Sequence, residues 1–227
     1  MENGEKGKSY SGAFLCMGML FVTCLIVSNL IAEKVWGVTE HISVPASVIL
    51  FPVTYILADI FTEVYGFKSA RIVIWTGFAC NLVAVIAYVI TIDLPYPKYW
   101  LGQDAFSVVL GITPRVLLAS FVGYLVGEFS NSVILSKLKI ITKGNKLWLR
   151  TIGSTVVGEA LDSLLFVSIA FAGTISGRQL ISMILFQYLF KLVIETVFTP
   201  VTYAIIAYVK KIEGIDTYDY GLKYRLF

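Results

Sequence analysis

The 227-residue sequence is short of the residues that make a water-facing surface. Charged side chains are only 15% of it and hydrophobic ones 57%, whereas a soluble globular chain carries about a quarter charged residues. A soluble fold is therefore excluded. Histidine is nearly absent. His41 stands alone, which rules out sites that need two histidines, such as the HExxH zinc motif. The three cysteines, Cys16, Cys24 and Cys80, fall in apolar runs without CxxC spacing. They read as small buried hydrophobes, not as a disulfide or metal set, and no cofactor is expected. The net charge of +3 is too small for a nucleic-acid surface. No low-complexity linker or tandem soluble repeat interrupts the chain.

What is present is a series of long apolar runs. Ser9 to Ala32 and Ile72 to Ile92 contain no charge at all, and each meets the length of roughly 20 residues needed to cross a bilayer core. Ile42 to Ala58 is also uncharged and then meets Asp59. Three further runs contain ionisable groups: Glu128 in the first, Glu159 and Asp162 in the second, Lys191 and Glu195 in the third. The pattern predicts an all-α membrane protein, one integral domain over residues 1–227. Its six spanning helices are expected near 9–32, 42–64, 71–92, 115–136, 151–177 and 179–210. The first run is longer than a signal-peptide core and no small-x-small site closes it, so it is expected to stay in place. The longest connection, Asp93 to Pro114, carries Pro95, Tyr96, Pro97, Tyr99 and Trp100 and reads as an aromatic segment at the membrane interface.

Lysine and arginine set the expected orientation. Of the 18, thirteen fall on one side: Lys6 and Lys8, Lys68 and Arg71, the run from Lys137 to Arg150, and the C-terminal tail. Four fall on the other, Lys34, Lys98, Arg115 and Arg178, and Lys191 lies within a span. The positive-inside rule then places both termini in the cytoplasm, with the chain multi-pass in the plasma membrane.

The ionisable residues inside the spans carry the functional information. Each costs about 2.5–3.5 kcal/mol at mid-bilayer on insertion scales, so such groups face a polar interior or one another. Helical spacing puts them on stripes. These are Phe51, Tyr55, Asp59 and Glu63; Ser120, Tyr124, Glu128 and Asn131; Thr155, Glu159, Asp162 and Phe166; and Gln187, Lys191 and Glu195. Ser28 and Asn29 add polarity near the outer end of the first helix. The stripes predict a pocket between helices. Glu128 and Glu159 each close a Val-Gly-Glu triplet, and Gly123 and Gly127 stand in GxxxG spacing, which lets a neighbouring helix approach closely. Ionised carboxylates accept two parallel N–H donors and tyrosines offer stacking faces. A planar ligand with adjacent N–H groups, or a small cation, suits this set better than an anion. Lys191 either contacts the ligand or neutralises Glu195 or an acid on a facing helix.

These residues also carry a family resemblance. Ser28-Asn29 with Lys34, Phe51-Pro52-Val53-Thr54-Tyr55 followed by Asp59 and Glu63-Val64-Tyr65-Gly66 open the pattern. It continues through Arg71, Arg115, Ala119-Ser120, Gly127-Glu128, Asn131, Arg150, Ser154-Thr155, Gly158-Glu159 and Asp162-Ser163, and closes on Lys191, Glu195 and Pro200. Over nearly the whole chain the sequence resembles the queuosine precursor transporter family, also catalogued as a vitamin uptake transporter family. The resemblance implies uptake of a 7-deazaguanine: 7-cyano-7-deazaguanine, 7-aminomethyl-7-deazaguanine or queuine. It also implies a compact six-helix bundle similar to the membrane substrate-binding components of energy-coupling factor transporters. Under it, Glu128 or Glu159 accepts the donor edge of the base and Tyr55 or Tyr124 stacks on its plane. Asn29, Asn131 and Gln187 meet its carbonyl and ring nitrogens. Asp59, Glu63 and Asp162 balance charge or bind a coupling proton, and Lys191 with Glu195 holds the last helix to the wall. The expected partners are this small molecule and membrane lipid, without nucleic acid; dimerisation is left open. Three rival readings remain: a binding subunit of an ATP-driven transporter, an importer of another small planar metabolite, and an intramembrane enzyme. The last is weakened because neither GxGD nor GxSG with an intramembrane histidine occurs.

Overall fold

The computed structural model describes residues 11–32, 34–39, 42–111, 114–173, 175–222 and 224; His41, Lys6, Lys8, Lys223 and Arg225 lie outside them. Five helices are long and apolar enough to cross a membrane: α1 (Gly12–Ile31), α3 (Phe67–Asp93), α5 (Pro114–Ile141), α6 (Leu147–Phe171) and α7 (Gly177–Glu213). Their outward faces carry large apolar side chains, such as Met19, Val83, Leu164, Ile181 and Val197, as acyl chains require. Local chemistry sets the ends. The Ser11 hydroxyl accepts from the Phe14 N–H and donates to Glu213 at 2.6 Å, so α1 begins beside the end of α7. Ser176 and Gln179 form a reciprocal capping box at the start of α7.

The expected second span is built differently. Ile42–Pro45 is not helical but a strand, β2, paired antiparallel with β1 (Val35–Thr39). Its β-branched residues favour a pleat, and Pro45 precludes helix behind it. A 3-10 turn (Ala46–Ile49) leads into α2 (Phe51–Ile60), whose Pro52 sits in the first turn, and a π turn (Phe61–Tyr65) ends it. Every residue of α2 but Val53 is buried. It is the enclosed centre of the fold, where irregular backbone is tolerated because protein, not lipid, surrounds it. Other bounds shift for local reasons. Gly66 (φ +83°) separates the π turn from α3, so α3 starts at Phe67. α6 stops at Phe171 instead of reaching residue 177, ahead of Gly173 (φ +82°). α5 runs on to Ile141. The Asp93–Pro114 connection contains a short helix, α4 (Gln103–Leu110), beside the exposed Tyr96, Tyr99 and Trp100.

The helices meet along the expected stripes. In α7 the buried residues are Gln187, Lys191, Glu195, Thr199, Thr202, Ile206 and Val209, a single line at spacings of three and four. The α5–α6 pair is closest where the two Val-Gly-Glu triplets lie. A Cβ placed on Gly127 would stand 2.8 Å from the Gly158 carbonyl oxygen, and one on Gly158 would stand 3.0 Å from the Gly127 carbonyl oxygen.

Candidate functional site

Asp59 on α2, Glu128 on α5, Glu159 and Asp162 on α6, and Lys191 and Glu195 on α7 all lie inside the bundle, each no more than 3% exposed. The Lys191 ammonium pairs with Glu159 at 2.8 Å and with Asp162 more closely still. It also lies over the rings of Phe51 (5.0 Å) and Tyr55 (5.6 Å). Lysine therefore neutralises acids on the facing helix. Of the two kinds of partner the sequence left open, the acids on the facing helix hold the lysine, and no ion pair between Lys191 and Glu195 is found among the described residues. The Asn131 amide donates to Asp59 at 2.6 Å. Ser132 donates to Glu128 at 3.3 Å and receives from Thr62 at 3.1 Å. Ser120 donates to Asn29.

Several buried atoms at this centre have no hydrogen-bond partner among the described residues: Asp59 Oδ2, Glu128 Oε2, both Glu195 oxygens, Asn131 Oδ1, Gln187 Oε1 and the Tyr55 hydroxyl. The two amide oxygens are acceptors only, and so are the carboxylates when ionised. A buried acceptor left unmade costs about 1–3 kcal/mol, so the centre is matched to something that brings N–H or O–H donors. Tyr124 differs from the expectation of a stacking platform. Phe21, Phe51, Tyr55 and Phe78 surround it at centroid distances of 5.6–6.2 Å, which makes its ring part of the wall. The stripes also predict a pocket between helices, whereas among the described residues the ionisable side chains of the centre are closed in, each no more than 3% exposed. The glycines on α5 and α6 let the helices approach until little accessible surface remains.

Glu63 belongs to a second cluster at the end of the bundle where α1 starts and α7 finishes. It receives Arg150 at 2.7 Å and Lys210 at 2.9 Å, with Lys139 at 3.5 Å. Three cations thus hold Glu63 apart from the acids at the centre of the bundle. Asp216, past α7, bridges Lys139 (2.5 Å) and Lys210 (2.9 Å). The tail then docks through Thr217 N–H to the Val64 carbonyl (3.1 Å) and through Asp219, which accepts from Phe67 N–H (2.9 Å) and Ser136 (2.6 Å). In the sequence Lys139 and Lys210 register only as orientation charges, and Arg150 as that and as part of the family pattern, yet Arg150 is 1% exposed. Ser132 and Thr62 were also missed; small hydroxyls in an apolar run carry no signal of their own.

Partial burial pushes the Asp216 carboxyl up, but hydrogen bonds from Lys139 and Lys210 outweigh it and hold it below the usual carboxylate range. Its contribution to stability is then fully present above the unfolded value of about pH 4 and is lost as pH falls through the lower folded value. The side chain is 44% exposed, so the effect is screened and small. Asp216→Asn should lower the thermal midpoint modestly at neutral pH and flatten its decline on acidification. Melting curves of the two proteins that keep a constant separation down to strongly acidic pH would contradict this.

Comparison with known proteins adds the following. A family described as "Putative vitamin uptake transporter" matches residues 45–205. A Bacillus subtilis (strain 168) protein named "Probable queuosine precursor transporter" is 24% identical over 200 residues, covering 88% of this chain and 85% of its own. An Escherichia coli (strain K12) "Queuosine precursor transporter" is 28% identical over 160 residues, 69% of each chain. A Haemophilus influenzae "Probable queuosine precursor transporter" is 24% identical over 159 residues, 69% of this chain and 65% of its own. No solved structure matches.

Proposed function

The chain belongs to the family described as "Putative vitamin uptake transporter", and from that premise we propose that it imports queuosine precursors of the 7-deazaguanine type. The family is one of transporters and not of enzymes, and the five apolar helices make this chain a multi-pass membrane protein. The names of three relatives support queuosine precursors as the cargo. In this reading the composite segment from Ala46 to Tyr65 is a sixth crossing, the bundle has the compact form expected of energy-coupling factor components, and the basic end faces the cytoplasm of a plasma-membrane protein.

The observation that carries the reading is the set of unpartnered acceptors on α2, α5 and α7. The edge of a guanine-like base presents a ring N–H beside an amino group, two parallel donors that a carboxylate accepts together. Glu128 is better placed for this than Glu159, whose carboxylate is engaged by Lys191. Asn131 and Gln187 offer carbonyl oxygens beside it, and Tyr55 supplies both a ring and a free hydroxyl. Because the centre is closed, cargo enters only when helices part, first on one side and then on the other.

Glu128→Gln replaces an acceptor oxygen with a donor. A hydrogen bond to a charged group contributes about 1.5–3 kcal/mol, so initial uptake of labelled 7-aminomethyl-7-deazaguanine should fall about 10- to 100-fold at matched membrane abundance. Normal uptake by both Glu128→Gln and Glu159→Gln would overturn the assignment. The same assay in liposomes without ATP tests autonomy. Uptake that needs ATP and a second protein would replace this reading with that of a binding subunit.

A further inference from the structure

Five carboxyl groups and one ammonium are enclosed at the centre of the bundle. Lys191 is committed to Glu159 and Asp162, so Asp59, Glu128 and Glu195 have no cation partner among the described residues. Asp59 has the Asn131 amide and Glu128 has the Ser132 hydroxyl. Glu195 has neither: both its oxygens are buried and without a donor, and the side chain is 2% exposed. Thr199, one turn on, donates to the Glu195 backbone carbonyl and not to the carboxylate.

The charged groups around Glu195 do not relieve this. Asp59 on α2 and Glu159 on α6 act on it electrostatically, and both are acidic. Asp162 on α6 and Lys191, one turn back on α7, are locked together. Glu63 on the π turn, which also packs against α7, is held by Lys139, Arg150 and Lys210. Among the described residues, β2, which also packs against α7, contains no titratable side chain. An ionised carboxylate in such surroundings carries a large desolvation penalty with nothing to offset it; the neutral acid does not.

α7 is also weakened next to this group. Pro200 lies inside the helix and has no N–H to give the Thr196 carbonyl, so the ladder is interrupted within two turns of Glu195. Bending there is a route by which water reaches the carboxyl.

We propose that Glu195 is the proton carrier of the transport cycle, protonated while the bundle is closed and exchanging its proton with water when α7 opens. This rests on the transport reading above. On one side of the membrane the Glu195 acid gives its proton to water, forming hydronium and leaving the carboxylate; on the other, hydronium returns a proton to the carboxylate. Among the described residues no three acidic, cysteine or histidine side chains are arranged to hold a metal ion, and the sodium-gradient arm of the test below separates a sodium ion from a proton.

Two measurements test this. Infrared difference spectra of the purified protein, taken between alkaline and acidic buffers without cargo, should contain a carboxylic-acid carbonyl band. That band should be lost in Glu195→Gln and kept, shifted, in Glu195→Asp. In proteoliposomes, an inward proton gradient should speed entry of labelled 7-aminomethyl-7-deazaguanine several-fold over cargo-for-cargo exchange. The ratio should fall to about one in Glu195→Gln and be partly restored in Glu195→Asp. An unchanged acid band in Glu195→Gln, an undiminished ratio in that variant, or a wild-type protein driven by a sodium gradient and not a proton gradient would each overturn the proposal. A wild-type protein that moves no deazaguanine would defeat the transport reading alone, and the infrared comparison would still decide the state of Glu195.

Discussion

Lys191→Met should destabilise the folded protein by about 3–5 kcal/mol, the usual result of removing one partner from a buried ion pair. Glu159 and Asp162 would then face each other in the closed centre with no cation, alongside three more acids. Methionine retains much of the apolar stem, so the loss isolates the charge and not the packing. The decisive comparison is the triple variant with Glu159→Gln and Asp162→Asn, which removes the stranded acids along with the lysine. It should recover most of the thermal midpoint while failing to transport. Equal stability of Lys191→Met and the wild type in detergent melts would show that the ammonium does not hold α6 to α7.

Gly158→Val should be nearly as damaging, through shape alone. A Cβ at residue 158 would lie 2.8 Å from the Asn131 Cβ, and one at residue 127 would lie 2.8 Å from the Asp162 Cβ and the Tyr55 hydroxyl. The obstructing atoms include backbone and Cβ positions, which cannot swing away. Overpacking of this kind costs about 1–3 kcal/mol and sometimes more. Here it also moves Glu128 and Asn131 away from Asp162, so uptake should be lost even in protein that inserts normally. Gly127→Val should behave the same way. Gly18→Ala on α1 is the contrasting case: nothing lies within 4 Å of the new methyl, and alanine is favoured over glycine in a helix by about 1 kcal/mol. That variant should be unharmed. If Gly158→Val transports as well as Gly18→Ala, the α5–α6 contact is not what assembles the centre.

The membrane class and the inward faces of α5, α6 and α7 were legible because lipid imposes one requirement on every span, and a polar residue at helical spacing violates it visibly. The paired glycines were legible for the same reason: a close crossing needs residues without side chains. The choice of partners was not. From the sequence, Glu195 at four residues from Lys191 looks as good a counter-ion as any, and only the facing helix reveals that Glu159 and Asp162 take its place. Glu63 is the stronger example. Its partners stand 76, 87 and 147 residues away, beyond anything that periodicity reports. The helix expected from residue 42 begins instead with a strand and a 3-10 turn, because an apolar run does not distinguish lipid on all sides from protein on all sides.

The capture of Glu63 bears on how the chain is made. α1, α2 and α3 emerge from the ribosome carrying Asp59 and Glu63, while Asn131, Lys139, Arg150 and Lys210 are still unsynthesised. Until α5 and the start of α6 arrive, Asp59 and Glu63 lack the Asn131, Lys139 and Arg150 contacts that hold them in the finished fold. Nascent chains arrested before α5 should therefore remain bound to the insertion machinery or be degraded, and release should follow synthesis of the segment carrying Lys210 and Asp216, which closes the ring of charges.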